Sequence, residues 1–219
     1  MTLRLLDAYC GQGGASKGYM QAGFHVTGCD LVAQPRYCGD AFIRGDALEY
    51  IARHGHEYDA LAASPPCQAY TPLAALSPHK VYPDLVAATR ALLEASGRPW
   101  VIENVPGAPL RHYVMLCGTM FGLRVYRHRR FETSFLVMQP EHPPHLVRAN
   151  GHKGQRQRKA HYVAGGFVTI TGDVGSYCGG AMGISWMTGA GLSQAIPPAY
   201  TRWVGDRLMA VLQRQEVPA

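Results

Sequence analysis

Apolar positions fall into short runs cut by glycine and proline, and that rhythm predicts alternating strands and helices. Residues 3–9 read as a strand, Cys10-Gly11-Gln12-Gly13-Gly14 as a tight turn, and residues 15–22 as a helix that Gly23 ends. Residues 24–29 form a second strand closing on Asp30. An irregular stretch, 35–43, leads through Gly45-Asp46-Ala47 into a short helix over 48–51. Residues 59–63 make a buried strand, 82–95 a helix, and 100–102 another buried strand. Residues 114–121 read as helical, and a strand runs from Arg127 to residue 138. The stretch 139–163 has the least regular pattern, 165–171 read as a strand, and 172–180 are rich in glycine. Pro197-Pro198 opens a final helix over about 200–212. The order predicts an α/β protein on one open, mostly parallel sheet, with no repeat and no linker long enough to separate independent domains.

The first strand, turn and helix make a ligand-binding unit. Glycine lets a backbone approach a ligand closely, and a helix start offers unpaired N–H groups. The spacing Asp7-Ala-Tyr9-Cys10-Gly-Gln-Gly-Gly departs from the dinucleotide fingerprint. A carboxylate at Asp7 would repel a pyrophosphate and attract an ammonium, which points toward S-adenosylmethionine over NAD. Asp30, at a strand end, suits a ribose diol. Asp46 would reach an adenine amino group or cap a helix.

Ser64-Pro65-Pro66-Cys67-Gln68 follows the buried strand 59–63. Two prolines forbid a continuing ladder or helix, so Cys67 sits on a rigid turn at a strand end. An isolated cysteine there is ordinarily a small buried apolar residue, but the placement also suits a nucleophile. Glu103 ends the next strand, at the edge where open sheets bind ligands, although alone it reads equally as a solvated loop carboxylate. The loop 70–79 is of a kind that covers a site.

Charge sharpens the division of the chain. Residues 1–110 hold 8 Lys/Arg against 10 Asp/Glu, and residues 111–219 hold 13 against 5, so the net charges are −2 and +8. A cofactor-binding half beside a polyanion-binding half would give this split, as would a basic solvated face. Six cysteines include no CxxC pair, which argues for free thiols, against a disulfide framework or structural zinc, and for no metal at the site. No apolar run is long enough to span a membrane, and no leader pattern opens the chain, so a cytoplasmic setting is expected.

Taken together, five motifs resemble the C5-cytosine DNA methyltransferase family: DAYCGQGG at 7–14, SPPCQ at 64–68, IENVPG at 102–107, RHRRF at 127–131 and SQAIPP at 193–198. Their order is that of the family and they span nearly the whole chain. The resemblance implies a Rossmann-like sheet of the S-adenosylmethionine-dependent methyltransferase type with a reduced target-recognition region. Residues 1–131 would be the catalytic domain, 132–192 the end of the sheet with that region, and 193–219 a segment returning to the catalytic domain. It implies S-adenosylmethionine bound by Asp7, Tyr9, Cys10, Gly11, Gly13, Gly14, Asp30, Leu31, Asp46, Pro66 and Gln194. Cys67 would be the nucleophile, Glu103 would engage the base, Arg129 would donate to its O2, and Arg127 would contact phosphate or support the loop.

Double-stranded DNA is the implied partner, met by Gln68, Arg130, Lys153, Arg156, Arg158 and Lys159. Val125 stands where the family has Gln, Gln194 where it has Asn, and Asp30 where it has Glu. The interval 132–192 is short for the family, so relaxed sequence preference, a DNA-recognition partner or a homodimer is expected. The basic stretch 153–159 is expected to supply charge on little rigid scaffold. The compact size suits a phage enzyme acting in a bacterial host, with protection from restriction as one role. Modification of a free cytidine nucleotide, transfer of a modified methyl group and a non-catalytic DNA-binding role stay open.

Overall fold

A computed structural model describes residues 2–71, 79, 82–149, 154–170 and 174–215. Its strands are β1 (Arg4–Ala8), β2 (His25–Asp30), β3 (Ala41–Arg44), β4 (Ala60–Ala63), β5 (Trp100–Asn104), β6 (Tyr113–Leu116), β7 (Val125–Tyr126), β8 (Arg129–Thr133) and β9 (Val168–Thr169). Its helices are α1 (Gly14–Gln21), α2 (Ala47–His54), α3 (Val86–Ala95), α4 (Gln155–Val163), α5 (Tyr177–Met182), α6 (Gly189–Gln194) and α7 (Pro198–Gln215).

Seven strands form one sheet in the order β3-β2-β1-β4-β5-β8-β6. The first five run parallel, and β8 is antiparallel to both of its neighbours. Both faces of the parallel region are buried. Successive residues of a strand point to opposite faces, so Leu5, Val26, Ala62 and Val101 pack under Tyr19, Tyr200, Val204 and Leu208. Leu6, Cys29, Leu61 and Ile102 pack on the other face under Ile51, Val86 and Leu93. Such strands read as continuous apolar runs, which is why 59–63 and 100–102 stand out in the sequence.

Helices α1 and α7 approach backbone to side chain. A Cβ on Gly18 would run into Thr201 Oγ1 and the Pro198 carbonyl, so only glycine fits there. Thr201 Oγ1 donates to the Ala15 carbonyl at 2.9 Å and fastens the contact. Pro198 opens α7 as the sequence predicts, since a first-turn residue has no helical use for its N–H.

Four expectations change. Residues 114–121 do not form a helix: Tyr113–Leu116 pairs with β8, burying Val114 and Leu116 alternately, and only Gly118–Phe121 makes a 3-10 turn. The strand expected from Arg127 to 138 is β8 alone, because Ser134 turns back to bond with Trp100. The end of the irregular stretch, Ala41–Arg44, is the outer strand. The basic stretch is not scaffold-free, since Arg156, Arg158 and Lys159 lie on α4. Lys153 and residues 72–78 of the expected covering loop lie outside the described residues.

Beyond the sheet, β7 and β9 pair as a separate two-stranded ribbon. A third core lies beneath it, built from Val125, Val168, Ile170, Cys178, Met182, Ile184 and Leu192. Val125, where the resembling family has a polar residue, is fully buried in this core. A buried ion pair ties the early strands to the later ones: Arg90 of α3 donates from Nε and Nη2 to both oxygens of Glu132 on β8, at 2.7 and 2.8 Å. Among the described residues no helix is long and apolar enough to cross a membrane.

Candidate active site

β1 has β2 on one side and β4 on the other, so the chain reverses direction across the sheet between them. Crevices at that switch point, outside the carboxyl ends of the strands, are where open α/β sheets take ligands. A cleft of about 610 Å³ opens there. It is lined by the glycine turn after β1, the ends of β2, β4 and β5, the start of α2, and α6.

At one end the backbone bends sharply. Tyr9 has φ 59°, Gly11 50° and Gly13 84°, and a Cβ at Gly13 would press on Cys38. Asp30 holds the bend by accepting from the Gly11 N–H at 2.9 Å and from Val32 N–H at 3.0 Å. Asp7 is buried and accepts from Ser16 Oγ at 2.5 Å. Burial pushes its carboxyl up to about 7, against the Ser16 bond and with help from the Glu103 and Asp30 charges. Asp46 caps α2 by accepting from Glu49 N–H, and it also lines the cleft, so both of its expected roles are open to it.

The other end is built on β4, β5 and β8. Asn104 Nδ2 donates to the Pro65 carbonyl at 2.9 Å and clamps the Pro-Pro turn onto β5. Cys67 follows, half-buried. Burial raises its thiol pKa; the Arg129 charge opposes the rise and Glu103 adds to it. Glu103 is buried, and burial holds its carboxyl above the usual range despite Arg129 and a Ser64 hydrogen bond. Arg129 Nε lies 3.0 Å from Glu103 Oε1, yet that oxygen receives no well-aimed hydrogen bond. A buried carboxyl in a cleft with an unsatisfied oxygen is prepared for a ligand donor or, once protonated, for a ligand acceptor.

Asp7, Tyr9, Cys10, Gly11, Gly14, Asp30, Leu31, Asp46, Pro66, Cys67, Gln68, Glu103, Arg129 and Gln194 all line the cleft. Gly13 does not, because it faces Cys38. Arg127 also lies off the lining: it is buried and donates to the carbonyls of Ile170 and Ser193. Of its two expected roles, this placement matches support of the loop. Arg130 lies over the Tyr113 ring at 4.0 Å, off the cleft. Arg156 and Lys159 are exposed on α4.

Sequence reading misses Gln12, Ser64, Asn104 and Met187 as lining residues. Gln12 accepts from Thr188 N–H and donates to Thr188 Oγ1, tying the glycine turn to α6 across 176 positions. No local pattern announces such a pair. Asn104 does carry a signal, since it follows Glu103 at a strand end.

Arg129 is the one cationic side chain among the described lining residues, and it sits at the Cys67 end. The opposite end offers the carboxyls of Asp7, Asp30 and Asp46. That donor set fits an ammonium and a diol and does not fit a pyrophosphate.

No protein-family model matches the chain, and no curated protein sequence matches it. Solved structures do. A protein described as a candidate DNA modification methyltransferase encoded within an E. coli prophage is similar with TM-score 0.66 and 13% identity, over 96% of this chain and 99% of its own. The S. pombe Dnmt2 methyltransferase gives 0.57 at 12% identity, over 98% and 99%. The Entamoeba histolytica methyltransferase EhMeth gives 0.59 at 12% identity, over 97% and 99%. The likeness establishes the fold: an open, mostly parallel sheet with flanking helices, of the methyltransferase type.

Proposed function

We propose that the protein transfers a methyl group from S-adenosylmethionine to C5 of cytosine in DNA, through a covalent bond between Cys67 and C6 of the base. One observation carries this reading. A half-buried thiol, a buried carboxyl with an unsatisfied oxygen and a guanidinium share a single cleft with a glycine turn and the carboxyls of Asp7, Asp30 and Asp46 at the switch point.

Asp7 would receive the amino group of the cofactor, Asp30 its ribose hydroxyls, and Asp46 with Leu31 its adenine. Bound there, S-adenosylmethionine supplies an electrophilic methyl group on a positively charged sulfur. Cytosine C5 is a poor nucleophile until the ring is activated. Cys67 gives its proton to solvent and its thiolate adds to C6, which moves electron density to C5. Arg129 stabilises the thiolate before addition and donates to O2 afterwards. Glu103, whose carboxyl is raised by burial against the pull of Arg129, donates to N3 in its protonated form as negative charge develops there. C5 would then take the methyl group, the broken S–CH3 pair staying on sulfur as a neutral thioether. Loss of the C5 proton to a solvent base and departure of the Cys67 thiolate restore the aromatic ring. The target carbon is hidden in a stacked duplex, so the base must turn out into the cleft.

Nucleoside mass spectrometry of duplex DNA incubated with protein and S-adenosylmethionine tests the reading. We expect new 5-methylcytosine that Cys67→Ala abolishes. Unchanged DNA, with the cofactor bound by calorimetry, would overturn it.

A further inference from the structure

Cys117 follows β6, His128 sits between Arg127 and Arg129, and His142 and His145 belong to the proline-rich stretch after β8. The fold gathers them although 25 positions separate Cys117 from His142. One ligand atom from each lies within 4.8 Å of all the others. We infer that Cys117, His128, His142 and His145 bind one structural zinc ion, which fastens the 134–149 stretch to the segment carrying Arg127 and Arg129.

The spacing suits the metal. His128 Nε2 and His142 Nε2 are 3.1 Å apart, and Cys117 Sγ is 3.4 Å from His145 Nε2. Zinc bonds of about 2.3 Å to sulfur and about 2.05 Å to nitrogen give tetrahedral edges of about 3.3 Å between nitrogens and about 3.6 Å from sulfur to nitrogen. The alternative is a hydrogen-bonded cluster of stacked rings, and the ring centroids do lie 5.0–5.2 Å apart. Stacking brings faces together, however, and does not require nitrogen atoms and a sulfur to converge on one point.

The surroundings hold the ligands in place. Tyr126 stacks on His145 at 3.8 Å and on Phe167 at 4.9 Å, and its hydroxyl donates to the Val147 carbonyl. Ligand orientation by packed neighbours is what a metal site requires. Residues 134–149 also need an anchor. They contain Pro140, Pro143 and Pro144, form no helix or strand, and expose Leu136, Met138 and Leu146. Four protein ligands close the coordination sphere, which is the pattern of a structural site and leaves no position for catalytic water. The sequence argues against zinc because no CxxC pair is present. His142-x-x-His145 is the available signal, and the other two ligands join it only in the fold.

Metal analysis of protein made without a polyhistidine tag and dialysed against a weak chelator tests the inference. We expect one zinc per chain, falling below about a tenth in His142→Ala/His145→Ala. Cobalt(II) added to the stripped chain should give the visible bands of a tetrahedral site with a sulfur-to-cobalt transition, which Cys117→Ser removes. If Cys117→Ser fails to fold, His145→Ala alone should still weaken the cobalt bands. Metal-free wild-type protein without cobalt bands would overturn the inference, and so would zinc retained fully by the double histidine variant. None of these readouts uses DNA or S-adenosylmethionine, so their outcome is independent of the proposed reaction.

Discussion

The parallel strands of the sheet and the region from β6 onward solve the same problem by different means. From β1 to β5 the strands are buried on both faces between two apolar cores, one of them completed by α7 returning from the end of the chain. From β6 to α6 the elements are short. They comprise an antiparallel edge, a two-residue ribbon, helices of six to nine residues and a proline-rich stretch, before the long α7 returns to the sheet. That region has a small core of its own and leans on polar fastenings: the Arg90–Glu132 pair, Arg127 bonded to two carbonyls, and the Cys/His cluster. The candidate cleft lies where the two meet, with Cys67 and Glu103 supplied by the first and Arg129 by the second. Apolar burial makes the first robust, while directional bonds give the second its geometry.

The largest effect should come from cutting the seam. Arg90→Leu leaves the Glu132 carboxylate buried and unpaired, which costs about 3–5 kcal/mol. Urea unfolding should show that loss, and Arg90→Leu/Glu132→Leu should recover much of it. If the single variant unfolds like wild type, the seam carries no weight.

Glu103→Gln comes next and acts on chemistry alone. It keeps shape but cannot give up a proton, so the methylation rate should fall by roughly 10²-fold or more. The melting temperature should stay close to that of wild type. A rate unchanged within twofold would remove Glu103 from the mechanism.

Asp7 gives a pH signature to the apolar half. Its folded value, about 7, is raised above that of the unfolded chain, chiefly by burial. The folded state therefore holds a proton that the unfolded chain has lost. The associated stability is complete below roughly pH 4 and disappears as pH rises through about 7. Between pH 5 and 8 this should amount to roughly 2–3 kcal/mol, and Asp7→Asn should flatten the slope in denaturant titrations. Binding of a cationic ligand should run the other way, tightening as Asp7 ionises.

The smallest effect belongs to α4. Arg156→Ala/Lys159→Ala should weaken duplex binding by about tenfold at low salt and lower the salt slope by about 2, with methylation of saturating DNA unchanged. An unaltered salt slope would make α4 a solvated face.

The two regions also differ in how far the sequence reveals them. The glycine turn, Asp30, the Pro-Pro-Cys turn and Glu103 are legible because parallel strands read as apolar runs, and their carboxyl ends mark the site. The run 114–121 misleads because a short apolar stretch fits a strand or a helix equally well until Val114 is seen facing Phe131. The α4 helix is hidden because its residues are nearly all polar, leaving no apolar stripe to give a period. Arg127 reads as a phosphate contact or a support of the loop, with the choice left open because its target carbonyls lie 43 and 66 positions away.

The proposed chemistry turns on a covalent bond from Cys67 to the base. Its most direct test is duplex DNA in which 5-fluorocytosine replaces cytosine, incubated with protein and S-adenosylmethionine. Fluorine at C5 cannot leave as a proton does, so the final elimination stalls with Cys67 attached to C6. The expected product is a denaturation-resistant adduct whose mass is that of protein plus methylated oligonucleotide, mapped to the peptide containing Cys67 and missing in Cys67→Ala. No adduct from a protein that methylates ordinary DNA, or an adduct at another cysteine, would contradict the covalent mechanism.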